Sequence, residues 1–159
     1  MSNDATESAL EQRILEVCNE RARFRALLVT GPPKWGKTHM CRALCARHRW
    51  LYVNATMDSG YLDTIVGREE QYGPEELVED LRAACGSGSV PIVVVVDDIE
   101  PYLGLWRQEK QDAFFRGLAA QTGLAAGMVV VTRLRTAQEL LRLVRDKRQV
   151  FDLVGEDYA

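Results

Sequence analysis

The chain has 159 residues, of which 47% are apolar and 27% are charged, and its formal net charge is −3. This length and composition predict one domain with one core, and the acidic balance argues against bulk attraction to nucleic acid or to an anionic membrane. No apolar stretch approaches the roughly 18 residues of a membrane span, and residues 1–9 are too polar for a signal peptide. We therefore expect a cytoplasmic protein with no membrane contact and with reduced cysteines.

The predicted elements alternate between helices and strands along the chain. A helix over residues 7–21 comes first, with Leu10, Ile14 and Val17 on one face. This alternation predicts an α/β fold, in which a five-stranded parallel sheet lies between two layers of helices. We assign residues 1–23 to an N-terminal helix and residues 24–159 to a single domain. The other helices are predicted over residues 37–47, 74–85, 105–121 and 136–147, and the strands over residues 26–30, 50–54, 91–96, 128–132 and 150–154.

The segment between the first strand and the next helix fits the pattern G-x-x-x-x-G-K-[ST]. It consists of Gly31, Pro32, Pro33, Lys34, Trp35, Gly36, Lys37 and Thr38. Strand, loop and helix are the context that this phosphate-binding motif, the P-loop, requires. Its glycines let successive N–H groups point inward, and the start of the helix adds the positive end of its dipole. We predict that Lys37 contacts the β- and γ-phosphates of ATP and that Thr38 ligates Mg²⁺.

The apolar run over residues 91–96 ends in adjacent carboxylates. A continuous β-branched run is typical of a strand buried on both faces of a parallel sheet. Asp97, at its carboxyl end, fits the Walker B position, where a carboxylate holds Mg²⁺, usually through water. Two residues are candidates for polarising the attacking water. Asp98 lies where many P-loop ATPases carry a glutamate, but its side chain is one methylene shorter. Glu100 is the other candidate, and it equally fits the first turn of a helix.

The strand over residues 128–132 ends in a third candidate position. In ATPases with a strand inserted between the P-loop strand and the Walker B strand, this position carries a polar sensor of the γ-phosphate. Thr132 fits the sensor position, and it also fits an ordinary strand end. Arg133 follows it and is placed to reach a phosphate or a neighbouring subunit, and Arg116 is a second arginine that could serve a neighbour's site. We therefore expect slow ATP hydrolysis by the isolated chain and faster hydrolysis in an assembly.

Residues 133–149 are strongly basic. They contain six arginine or lysine residues against two acidic ones. Such a run is more often the solvated face of a helix than a nucleic-acid footprint. Contact with DNA through this segment stays open as an alternative that the net charge does not favour.

These motifs, from about residue 24 to about residue 155, resemble the P-loop ATPases of the AAA+ and RecA-like division. The resemblance implies that the P-loop strand lies near the centre of the sheet, beside the strand that ends at Thr132. Because the chain ends just after the fifth strand, we expect the helical lid of AAA+ proteins and its sensor arginine to be absent. More narrowly, the size, the N-terminal helix and the early P-loop resemble the BrxF family of small P-loop proteins from BREX phage-defence systems. That resemblance implies a bacterial cytoplasmic protein beside other defence subunits, including a DNA methyltransferase and a large ATPase.

Three functions are open on these grounds. The first is an ATP-hydrolysing subunit or regulator of a larger assembly, which is either a homo-oligomer or a set of defence subunits. The second is a nucleotide-binding switch or scaffold without significant hydrolysis, which the short Asp98 favours. The third and most distant is a small-molecule or nucleoside kinase. The segment between the third and fourth strands argues against it, because its arginines, Arg107 and Arg116, do not form the compact cluster of a kinase lid.

Overall fold

The computed structural model of the chain describes residues 3–32, 36–55, 71–85 and 92–154. Its strands form a five-stranded parallel sheet in the order β2-β3-β4-β1-β5. The P-loop strand β1 lies beside β4, the strand that ends at Thr132, so the predicted strand neighbours are confirmed. The strands are β1 Ala26–Thr30, β2 Leu51–Asn54, β3 Val93–Asp97, β4 Gly127–Thr132 and β5 Val150–Asp152.

Helices connect these strands and cover both faces of the sheet. Residues of β1, β3 and β4 are buried throughout, which explains why their sequences show continuous apolar runs without alternation. The predicted α/β architecture, with helices on both faces of a parallel sheet, is confirmed. The helices are α1 Asn3–Val17, α2 Lys37–His48, α3 Pro74–Cys85, α4 Glu100–Leu103, α5 Gln108–Ala119 and α6 Ala137–Leu141, and a 3₁₀ turn, Lys147–Gln149, precedes β5.

Successive side chains of each strand enter two different apolar clusters. In β1, Leu28 belongs to the cluster that contains α3 and α5, whereas Leu27 and Val29 belong to the cluster that contains α1 and α2. This follows from the pleat of a strand, which directs neighbouring side chains to opposite faces. The predicted apolar face of α1 is buried in the second cluster, with Leu10 and Ile14 each 1% exposed.

The N-terminal helix was predicted over residues 7–21, but α1 runs from Asn3 to Val17. It ends earlier because Asn19 starts a turn. The Asn19 side chain accepts a hydrogen bond from the backbone N–H of Arg21 at 2.8 Å, and the Asn19 carbonyl accepts one from Ala22 at 3.0 Å. A side chain that bonds the backbone two residues on competes with helix continuation.

The predicted start of the helix over residues 105–121 was wrong. The structure has a short helix α4, with Pro101 in its first turn, and then α5 from Gln108. The two are linked by the side chain of Gln111, whose Nε2 donates to the carbonyls of Leu103 and Trp106 at 2.9 and 3.2 Å. Gln111 is thus a second donor to the Leu103 carbonyl, which also accepts the backbone N–H of Trp106 at 3.1 Å, and it ties the start of α5 to the end of α4.

The basic helix predicted over residues 136–147 is also shorter in the structure. A capping box between Thr136 and Glu139 starts α6, but α6 ends at Leu141. The side chain of Gln149 accepts the N–H groups of Arg145 and Asp146, both at 3.0 Å, so these donors do not continue the helix. The basic side chains are therefore spread over α6, a turn and the 3₁₀ segment, and the structure does not support a single basic helix face.

Gly127, the first residue of β4, lies against the end of α1. A Cβ atom at this position would lie 2.2 Å from Cβ and 3.0 Å from Cα of Cys18. Atoms so close to the backbone cannot move aside by a rotamer change, so α1 and β4 can approach this closely only with glycine at position 127.

We expect Gly127→Ala to lower the free energy of unfolding by about 1–3 kcal/mol through overpacking between α1 and β4. The matched control is Gly117→Ala in α5, where an added Cβ meets Val78 Cγ2 at an ordinary 3.9 Å. That change should stabilise the protein by roughly 0.5–1 kcal/mol, because alanine restricts the unfolded helix segment more than glycine does. Urea denaturation measures both changes, and equal effects at the two positions would contradict the close approach of α1 and β4.

Candidate nucleotide site

The carboxyl ends of the parallel strands meet at one edge of the sheet, where α2 begins. In open α/β sheets this edge is where ligands bind. A cavity of about 520 Å³ lies there, a volume within the usual range for small-molecule sites. Its lining comes from the start of α2 and the ends of β2, β3 and β4: Gly36, Lys37, Thr38, His39, Asn54, Asp97, Asp98, Glu100, Val131, Thr132 and Arg133.

The turn into α2 depends on Gly36, which has a φ of 83° and serves as the N-cap. Glycine adopts this left-handed conformation at little steric cost. Lys37 is the first residue of α2, and its Nζ donates to the carbonyl oxygens of Gly31 at 2.8 Å and Pro32 at 2.7 Å. Burial lowers the pKa of Lys37, against the opposing effect of the nearby carboxylates. The predicted phosphate-binding residues Pro33, Lys34 and Trp35 lie outside the described residues.

Thr38 and Asp97 meet directly across the cavity. Thr38 Oγ1 donates a hydrogen bond of 2.6 Å to Asp97 Oδ2, and the backbone N–H of Asp98 donates to Asp97 Oδ1 at 2.8 Å. The hydroxyl and the carboxylate are hard oxygen ligands of the kind that Mg²⁺ binds, and such sites use few protein ligands besides phosphates and waters. No cluster of three or more His, Cys, Asp or Glu residues that could hold a metal occurs in the part of the chain that the structure describes. The pair Thr38 and Asp97 therefore fits Mg²⁺ bound together with a nucleotide.

The two candidates for the water-polarising carboxylate both line this cavity. Asp98 has a φ of 58°, a left-handed conformation that is uncommon for residues other than glycine. Glu100 is the first residue of α4, and its Oε2 accepts the backbone N–H of Arg133 at 3.2 Å. Burial raises the pKa of Glu100, while hydrogen bonds from Arg133 and Thr132 act in the opposite direction.

Of the candidate sensor and the two candidate arginines, Thr132 and Arg133 line the cavity and Arg116 does not. Thr132 is 1% exposed, lines the cavity and accepts the backbone N–H of Leu134 at 3.1 Å through its Oγ1. Arg133 is exposed and also lines the cavity. Arg116 lies on the exposed side of α5 and is not among the described residues around the cavity.

Three polar residues of this site were not predicted from the sequence: His39 on α2, which lines the cavity, and Asn54 and Tyr52 on β2. Asn54 ends β2, pairs in register with Asp97 and lines the cavity. Tyr52 donates from its hydroxyl to Asp97 Oδ2 at 2.6 Å, and burial together with this bond raises the pKa of Tyr52 to about 12. The signal for Asn54 was its position at a strand end, whereas nothing in the local sequence marks Tyr52.

The strand order and the turn into α2 define a P-loop NTPase-like α/β fold. A solved structure with this fold is that of PCH-2 from C. elegans, an AAA+ ATPase. It is similar to this chain with a TM-score of 0.50 and 14% sequence identity over 95% of this chain and 42% of the PCH-2 chain. At this identity the likeness shows the fold alone, and this chain spans about two fifths of the length of that neighbour. No family model and no curated protein matches the chain. Within the described ranges, no helix is long and apolar enough to cross a membrane.

The pKa of Glu100, raised above its ordinary value of 4.5, predicts how the free energy of unfolding depends on pH. A raised folded pKa adds stability that is fully present below the unfolded pKa and is lost as the pH rises through the folded value. At neutral pH the folded protein therefore bears the cost of a charged, partly buried carboxylate. We expect Glu100→Gln to unfold at higher urea concentration than wild type near pH 7, with the difference vanishing towards about pH 4.

The control for this prediction is Glu79→Gln, at an exposed position on α3. Its difference from wild type should stay small across the same pH range. If the free energy of unfolding of Glu100→Gln equals that of wild type at every pH, burial does not raise the pKa of Glu100.

Proposed function

We propose that this chain binds ATP with Mg²⁺ in the cavity at the start of α2, and that it hydrolyses ATP as a subunit or regulator of a larger assembly. One observation carries the proposal. The Thr38 hydroxyl and the Asp97 carboxylate meet at 2.6 Å beside Lys37 at the N-terminus of a helix. Phosphoryl transfer depends mainly on positioned charge, and this arrangement supplies a cation, a helix N-terminus and metal ligands in one place.

The residues at the start of α2 suit the binding of phosphates. The Lys37 ammonium donates to the carbonyls of Gly31 and Pro32, and phosphate oxygens could replace these carbonyls as its acceptors. Backbone N–H groups at the helix start offer further donors to the same anion. Thr38 and Asp97 would hold Mg²⁺, which supplies positive charge at the phosphates.

The hydrolytic step needs a carboxylate beside the γ-phosphate, and we assign this role first to Asp98. Glu100 is the alternative, because its raised pKa brings it closer to the range in which a carboxylate exchanges protons near neutral pH. Thr132, buried at the end of β4 between these elements, is proposed as the sensor of the γ-phosphate.

We expect Lys37→Ala to weaken ATP binding at least tenfold, since it removes a charge-assisted contact to phosphate worth about 1.5–3 kcal/mol. Lys110→Ala, which removes an exposed lysine of α5, should leave the affinity unchanged. Isothermal titration calorimetry measures both, with unfolding temperatures as a check on the fold. Equal affinities of wild type and Lys37→Ala would overturn the assignment of the P-loop.

Replacement of the two carboxylates separates their roles. Asp98→Asn should retain bound nucleotide but slow phosphate release by about 10²–10⁴-fold, because an amide cannot accept a proton from water as a carboxylate does. Single-turnover phosphate release measures the rate, with Glu79→Gln as a variant of the same chemistry outside the cavity. If Glu100→Gln alone binds ATP tightly and releases phosphate slowly, then Glu100 and not Asp98 is the carboxylate that polarises the attacking water.

A nucleotide-dependent switch without significant hydrolysis is the second candidate function. It is favoured by the shorter side chain of Asp98 and by the left-handed backbone on which this residue sits. Tight ATP binding with no phosphate release, either by the chain alone or at high concentration, would select the switch over the ATPase.

In the proposed assembly, Arg133, an exposed cation at the rim of its own cavity, contacts the nucleotide that a neighbouring subunit binds. Arginine from a neighbouring subunit can raise phosphoryl-transfer rates by about 10³–10⁵. The sequence resemblance to the BrxF family narrows this proposal. On that basis we propose a bacterial cytoplasmic protein that acts with other subunits of an anti-phage system. Arg116 is the second candidate for the arginine that a neighbouring subunit supplies. It lies outside the cavity of its own chain, so it would act only on the site of a neighbouring subunit.

We expect ATP hydrolysis to be slow in dilute solution and to rise with protein concentration. A Lys37→Ala chain mixed with an Arg133→Ala chain should regain activity, because one intact shared site forms from the unmutated halves. The same mixture with Arg116→Ala tests the other arginine, and a mixture of two Lys37→Ala preparations is the control. Full activity of a sample shown by mass photometry to be monomeric would rule out the shared site.

A further inference from the structure

Asp97 receives a hydrogen bond from a residue that no P-loop or Walker B motif contains. The Tyr52 hydroxyl donates to Asp97 Oδ2 at 2.6 Å, the same oxygen and the same distance as the bond from Thr38 Oγ1. The backbone N–H of Asp98 occupies the other oxygen, Oδ1, at 2.8 Å. Three donors, from α2, from β2 and from the residue that follows Asp97, therefore hold both oxygens of one carboxylate.

The position of Tyr52 follows from the pairing of two neighbouring strands. β2 lies beside β3 in parallel, with Tyr52 in register with Val95 and Asn54 in register with Asp97. Tyr52 is thus two residues before the strand end, and the length of its side chain carries the hydroxyl to the level of the carboxylate. A shorter polar side chain at this position could not span the same distance.

A residue of α2, Arg42, contacts the ring of Tyr52. The guanidinium of Arg42 lies 5.0 Å from the ring centroid, within the range of a cation–π contact. Arg42 is four residues after Thr38, so the two residues lie on the same side of α2. The helix that brings Thr38 to Asp97 therefore also holds the tyrosine that bonds Asp97.

We propose that Tyr52 is a positioning residue that orients Asp97 for Mg²⁺ in the nucleotide site, an inference that rests on the proposed function. Groups that hydrogen-bond a metal ligand fix its orientation, and their loss typically costs 10–100-fold in metal affinity. Tyr52 would act on the metal only through Asp97, so its loss should change the Mg²⁺ requirement of nucleotide binding and leave metal-free binding unchanged.

The test compares Tyr52→Phe with wild type in a titration of Mg²⁺ against protein and mant-ATP, followed by fluorescence. Phenylalanine keeps the ring under Arg42 and removes the hydroxyl, which interacts with the Arg42 side chain as well as with Asp97. The chain offers a matched control in Tyr72→Phe, since the Tyr72 hydroxyl donates to Asp80 Oδ2 at the same distance of 2.6 Å, outside the cavity. Affinity for mant-ATP in EDTA and the unfolding temperature are measured for all three proteins.

We expect Tyr52→Phe to raise the half-saturating Mg²⁺ concentration about tenfold, with its affinity in EDTA unchanged. Tyr72→Phe should keep the wild-type Mg²⁺ dependence, even if its unfolding temperature falls. A wild-type Mg²⁺ requirement in Tyr52→Phe overturns the inference, and so does an equal loss of affinity with and without Mg²⁺, which would indicate a packing role. Failure of the wild type to bind mant-ATP under any condition contradicts the proposed function itself, and the inference falls with it.

Discussion

The hydrogen bond between Thr38 Oγ1 and Asp97 Oδ2 connects two residues 59 positions apart, and the rest of the site depends on it. Thr38 is at the start of α2, which follows β1, whereas Asp97 ends β3. These strands are not neighbours, because β4 lies between them. The bond therefore joins the start of α2 to the end of β3, although β4 separates β3 from β1. Thr132, at the end of β4, lines the same cavity as Thr38 and Asp97.

The meeting of α2 with the ends of β3 and β4 also places the charged side chains of Lys37 and Glu100 where solvent is partly excluded. Burial disfavours the charged forms of Lys37 and of Glu100, and the direction of each pKa follows from that cost. Their opposite charges compensate in part, since the Glu100 carboxylate raises the pKa of Lys37. A site that concentrates charge in this way is less stable than an apolar packing of the same volume would be, and it is suited to an anionic ligand and a cation.

The fold does not by itself decide which reaction the site performs. A likeness to PCH-2 at 14% identity shows a shared architecture, and many activities occur on α/β folds with a P-loop. The particular features of this chain are the short carboxylate of Asp98, the exposed Arg133 beside the cavity and the tyrosine that bonds Asp97. Each of them bears on the proposed binding and hydrolysis of a nucleotide.

Local sequence signals were sufficient for the elements that carry the motifs. The limits of β1 and α3 agree with the prediction, because a short buried apolar run and a proline in the first turn of a helix are signals contained within a few residues. The P-loop spacing likewise indicated Lys37 and Thr38, and the end of an apolar run indicated Asp97. The side chains of Asn19, Gln111 and Gln149 bond backbone groups at or beyond the ends of α1, α4 and α6, and the apolar pattern does not reveal these bonds.

The sequence by itself determined the class of fold and indicated the residues of the proposed phosphate-binding turn, since both depend on contiguous residues with fixed spacing. The tertiary structure alone brought Tyr52 to Asp97, brought the Glu100 carboxylate to the backbone N–H of Arg133 and left Arg116 away from the cavity. The physical reason is the order of strands in a parallel sheet. Residues far apart in the chain become neighbours through lateral pairing, and that pairing is set by the packing of the whole core on both faces of the sheet.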